Sequence, residues 1–223
     1  MNTPSHSPSS RPRSRADLIA SLTEDLTPVA PVKPRNGALS IAAATLVAGI
    51  VSMLYFGFWT GMTSGEASGY FWITNGLLAV LGAASTAGVA SSALPRVGAR
   101  SNAAIWGAAM IGVLPVAGLL SVISTMTARR ADPVMWYWEC AAYGTIAGLL
   151  IAGAAIAFLR RGAPVSLERA GWMTGIAAGS LGSLAYGITC PVDTVSHVGI
   201  VHIAPVAISA VIGRLVVPRL IRW

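Results

Sequence analysis

The 223-residue chain is 54% hydrophobic and only 10% charged, against roughly 25% charged in a soluble domain, and its mean hydropathy is +0.67. That balance excludes an ordinary soluble domain; six separable apolar blocks point to an all-α polytopic membrane protein with six transmembrane helices. The net charge of +7 does not point to direct nucleic-acid binding, because the charges sit in the leading arm and at helix ends, where membrane proteins set their orientation.

Residues 1–13, rich in Pro, Ser and Arg, read as a disordered tail. About 37 mostly polar residues precede the first apolar run, which is unlike a cleavable signal. Residues 14–27 read as a short cytoplasmic amphipathic helix. Ser14 can cap it, with Asp17 returning a hydrogen bond. Leu18, Ile19, Leu22 and Leu26 share one face, opposite Asp17, Ser21, Glu24 and Asp25. Pro28 ends it, and residues 28–37 form a proline-rich linker. So short a helix is marginal alone in water and needs a surface to dock on. Its acidic polar face disfavours an anionic leaflet and favours the groove of a protein partner; docking on the chain's own cytoplasmic loops, or no ordered role, are the alternatives.

The transmembrane domain, residues 38–223, reads as spans Ala38–Trp59, Phe71–Leu94, Ala103–Met126 with a kink at Pro115, Val134–Leu159, Ala170–Ile188 and Thr194–Val217. With the amino terminus inside, the cytoplasmic segments hold Arg11, Arg13, Arg15, Lys33, Arg35, Arg96, Arg100, Arg160, Arg161, Arg169, Arg214, Arg219 and Arg222, and the outer segments only Arg129 and Arg130. This bias places both termini in the cytoplasm. Trp59, Trp72, Trp136, Tyr137 and Trp138 then lie near the outer boundary. No Asp, Glu, Lys or Arg falls in the middle third of a span, which disfavours transport chemistry. A small transporter or channel is the alternative function. Asn75 and His202 are the polar residues inside spans, more often helix glue than a site.

Small residues recur every fourth position along two spans. Gly171, Gly175, Gly179, Ser183 and Gly187 form one bulk-free stripe, and Cys140, Gly144, Gly148 and Ala152 another. Such stripes let membrane helices approach backbone to backbone. The fourth and fifth spans are antiparallel and closely connected, so their stripes are expected to dock and bring Cys140 and Cys190 within about 10 Å at the outer side. Glu139, Asp193, His197 and His202 lie near these thiols in sequence or topology. The cysteines can act as redox-active thiols, bind a soft metal ion, or be small buried hydrophobes and nothing more. No cofactor is required. There is no Cys-x-x-Cys, phosphate-binding glycine loop or nucleophile elbow, and the chain reads as a non-enzyme.

Three regions carry a family resemblance: ADLIASLTEDLTPVAPV near the start, RRGAPVS after the fourth span, and YGITCPVD…HVGIVHI…IGRLVVPRLIRW at the end. Together they resemble the NrsF-type six-span membrane anti-sigma factors. Cys190–Asp193 and the final Arg222–Trp223 are the most specific parts. The chain departs from the pattern in its longer leader and in Val201, where an aromatic is expected before His202. The resemblance implies that the amino-terminal segment holds an extracytoplasmic-function sigma factor at the bacterial inner membrane. It also implies that the cysteines help to sense the stress that releases it.

Overall fold

A computed structural model describes residues 14–24, 31–95, 103–127 and 137–222. These residues are helical, with no strand among them: α1 Arg15–Glu24, α2 Pro34–Phe56, α3 Gly61–Ser64, α4 Gly69–Ser92, α5 Ala103–Thr127, α6 Trp138–Leu159, α7 Leu167–Gly187 and α8 Ala204–Leu220. A five-residue π-helix, His197–Val201, precedes α8. The chain divides into two compact units, Met1–Pro31 and Val32–Trp223.

In the first unit, α1 begins as its capping residues dictate. The Ser14 backbone N–H donates to Asp17 Oδ2 (3.1 Å), and the Asp17 N–H donates to Ser14 Oγ (3.1 Å). Two amides that the helix leaves unpaired are thereby satisfied reciprocally. Leu18, Ile19 and Leu22 are exposed. Leu26 lies outside the described residues, so α1 is described as ten residues rather than the expected fourteen.

In the second unit, α2, α4, α6 and the tract His197–Leu220 are each long and apolar enough to cross a membrane, as is Ala108–Thr127 within α5. Rows of large apolar side chains stand exposed on them, among them Leu46, Ile50 and Leu54 on α2 and Val113, Leu119 and Leu120 on α5. So much exposed apolar surface suits lipid rather than water. Several long apolar helices mark a membrane protein. The helix α5 runs through Pro115 without interruption.

The helix α7 is different. It is not among the five apolar spans, because its Gly, Ser and Thr lower its hydropathy. It is instead the centre of the bundle, packed by α8, α6, α4 and α2. Thirteen of its 21 residues are buried, nearly all of them Gly, Ala, Ser or Thr. Toward α6 and α8 its small residues let the backbones approach closely; toward α4 it presents Leu181 and Met173, which fill the space beside Gly82 and Gly88.

That packing corrects the expected pairing of stripes. Gly171, Gly175 and Gly179 face α8, not α6. A Cβ at Gly171 would lie 2.6 Å from the Gly213 carbonyl oxygen; one at Gly175 would strike the Ser209 carbonyl, and one at Gly179 the Pro205 carbonyl. The α6 stripe docks on a different face of α7. A Cβ at Gly148 would lie 2.7 Å from the Ala178 carbonyl oxygen, and one at Gly182 would lie 2.5 Å from the Gly144 carbonyl oxygen. Ala178 and Gly182 lie about 60–100° round the helix from Gly179, so α7 holds α6 and α8 on adjacent faces. The partner stripe on α8, Pro205, Ser209 and Gly213, also recurs every fourth residue and was the signal available in the sequence. At the far end of this interface Glu168 pairs with Arg214 at 2.7 Å, and the Arg214 guanidinium lies 5.5 Å from the Trp172 ring centre.

Candidate functional site

The site forms where α6 begins and α7 ends. Cys140 sits in the first turn of α6. The helix α7 stops at Gly187, ahead of Pro191, which cannot continue it. Thr189 and Cys190 donate their backbone N–H groups back to the Tyr186 and Gly187 carbonyls (2.9 and 3.3 Å). The chain thus turns Cys190 inward, over the end of its own helix. The two sulfurs lie 3.8 Å apart, in a cluster with Ala141, Tyr186 and Val201. The stripes expected to bring the cysteines together dock otherwise than expected, yet the thiols meet, because Gly144 packs at Ser183, one turn from Gly187.

The histidines arrive through the π-helix. On a regular α-helix residues 197 and 202 would point about 140° apart. The wider π turn, with its hydrogen bonds five residues apart, turns position 202 back toward position 197. The two imidazole centres are 5.2 Å apart. Gly199, inside this turn, allows α5 to approach: a Cβ there would be 2.7 Å from both the Leu114 carbonyl oxygen and the Tyr70 hydroxyl. His197 Nε2 lies 3.5 Å from Cys190 Sγ. One ligand atom from each of Cys140, Cys190, His197 and His202 lies within 4.8 Å of the others, and all four residues are buried.

The surrounding residues fix this cluster. The Tyr186 hydroxyl donates to Cys140 Sγ at 3.3 Å, and its ring stacks on His202 at 6.1 Å. Phe56 and Tyr143 pack on Tyr186 with ring centres 5.3 and 5.6 Å away. Ser183 Oγ donates to the His202 carbonyl at 2.6 Å. The polar atoms His202 Nε2 and Asn75 Oδ1 are buried without a hydrogen-bond partner among the described residues. Cys190, beyond the carboxyl end of α7, has its thiol held above the ordinary range, first by hydrogen bonding with Cys140 and then by burial.

Two residues expected near the thiols do not join them. Glu139 is exposed in the first turn of α6. Asp193 accepts from the Ser68 backbone N–H and, at 2.8 Å, from the Ser68 hydroxyl, and so secures the residue that caps α4. Its negative charge is used at a helix amino terminus, where the helix dipole favours it. Tyr186, which the sequence reading passed over, stands one helical turn before Cys190; that spacing was the available signal.

A family model described as "Negative regulator of sigma F", NrsF, matches residues 22–223. The chain belongs to the NrsF family. The match opens at Leu22, inside α1, and covers the whole membrane unit and all four residues of the cluster. An Azospira oryzae protein named "Probable anti-sigma-F factor NrsF" is 27% identical over 161 residues, covering 69% of this chain and 72% of that protein. No solved structure matches. As an NrsF family member the chain is a negative regulator of a sigma factor, and a sigma factor is the partner that membership implies.

Proposed function

We propose that this protein is an inner-membrane anti-sigma factor that sequesters an extracytoplasmic-function sigma factor through α1 and releases it when the cysteine pair receives a redox or soft-metal signal. The observation that carries the docking role is a reciprocally capped helix whose Leu18, Ile19 and Leu22 are all exposed. An apolar edge of this kind lies into a hydrophobic groove of a partner, with anchors three and four residues apart. The positive-inside bias supports six spans with both termini cytoplasmic, α7 serving as the span around which α2, α4, α6 and α8 pack. The docking helix then lies on one side of the membrane and the thiols on the other. Within the bundle, α7 holds α6 and α8 through backbone contacts that leave no room for an added Cβ. A change at the thiols is transmitted as a shift between two packings of these helices. Leu22→Asp, which puts a charge in the docking edge, should raise transcription from the sigma factor's promoters to the level of a strain lacking the regulator, with membrane insertion unchanged. Full repression by that variant would remove α1 from the docking role.

A further inference from the structure

We propose that Cys140, Cys190, His197 and His202 form a closed four-ligand site for one divalent thiophilic ion, zinc or cadmium. The site stands on geometry alone; only its use as a release signal rests on the anti-sigma reading.

The distances select the ion class. A tetrahedral zinc ion with bonds of about 2.3 Å to sulfur and 2.0–2.1 Å to imidazole nitrogen sets its sulfurs about 3.8 Å apart and each sulfur about 3.5 Å from a nitrogen. The sulfurs here are 3.8 Å apart, and Cys190 Sγ is 3.5 Å from His197 Nε2. A disulfide would need the sulfurs at about 2.05 Å. The remaining ligand atoms, all within 4.8 Å, have only to close toward the same centre. His202 is 3% exposed, and its Nε2 has no hydrogen-bond partner among the described residues. An unpartnered nitrogen in so dry a place is costly, and a coordination bond would satisfy it.

Charge selects within the class. Two thiolates, two neutral imidazoles and a divalent ion sum to zero, which suits a buried site next to the membrane core. A monovalent copper ion would leave the same ligands with a net negative charge. Oxygen-seeking ions such as calcium and magnesium find no carboxylate in the set, since Glu139 is exposed and Asp193 is held by Ser68. On binding, each thiol gives its proton to water and its sulfur lone pair to the metal; no electron is transferred. The Tyr186 hydroxyl, already donating to Cys140 Sγ, would orient that ligand as outer hydrogen bonds do in metal sites.

X-ray absorption of the full-length protein in detergent, loaded with one equivalent of zinc, tests this on the unaltered chain. Two sulfur and two nitrogen neighbours per zinc are expected, at the bond lengths given above. Competition with a chromophoric chelator should then show zinc affinity falling at least tenfold in His202→Ala and in Cys190→Ser. Fewer than two sulfurs or no imidazole around the zinc, or no stoichiometric binding, would overturn the site. Those readouts involve no sigma factor, so failure of the anti-sigma reading would appear separately, as zinc binding intact in a protein that represses nothing.

Discussion

Single atoms decide much of this structure. At Gly175 a methyl group would meet the Ser209 carbonyl, and the Ala210 Cα would be 2.7 Å away. Both are backbone atoms, which cannot rotate aside. At Gly153, also inside a long helix, no atom of another element among the described residues lies within 4 Å of the same position. Gly175→Ala should therefore destabilise the bundle by about 1–3 kcal/mol, the usual cost of overpacking. Gly153→Ala should leave it unchanged or slightly more stable, because alanine restricts the unfolded chain more than glycine does. Thermal unfolding of the two purified variants in detergent checks this contrast, and equal melting temperatures would contradict it. At the same scale, the Cys2His2 cluster was half legible in the sequence. Both cysteines and both histidines stood out by residue type, but Glu139 and Asp193 stood out equally. Nothing local revealed that Asp193 would be taken by Ser68, 125 positions away, or that a π turn would bring His202 round to His197.

At the scale of elements, the long apolar helices could be read directly, because a span must satisfy its backbone internally and present apolar side chains throughout. Their partners could not. The stripe on α7 promised close packing, and close packing is what it makes, but chain proximity pointed to α6 where the structure uses α8. A face is chosen by the fit of both helices, and the α8 stripe of Pro205, Ser209 and Gly213 shows only when the two segments are compared. The start of α1 was read correctly for the opposite reason: its cap is entirely local. That cap gives a prediction of its own. Ser14→Ala removes the oxygen that accepts from Asp17 N–H and should cost about 1 kcal/mol of helix stability. If the partner binds α1 as a helix, this weakens the complex roughly fivefold, measured by titrating the sigma factor into the full-length protein. An unchanged affinity would mean that the segment binds in another conformation.

The whole molecule combines a membrane bundle, whose thiol–imidazole cluster is buried, with a short helix whose Leu18 and Leu22 are exposed. The distribution of Lys and Arg predicts that both termini are cytoplasmic. Phosphatase fused to the carboxyl terminus, which is active only when exported, should be inactive, and a fluorescent protein fused there should fold and fluoresce; active phosphatase would reverse the topology. In the proposed function this NrsF family member holds a sigma factor through α1. The most direct measurement is the amount of sigma factor that co-purifies with the full-length protein from detergent-solubilised membranes, compared between the natural sequence and Leu22→Asp at equal yield of membrane protein. A near-stoichiometric sigma factor is expected with the natural sequence and a loss of at least tenfold with Leu22→Asp, as where a buried leucine anchors an interface. Equal amounts in both, or none in either, would contradict it.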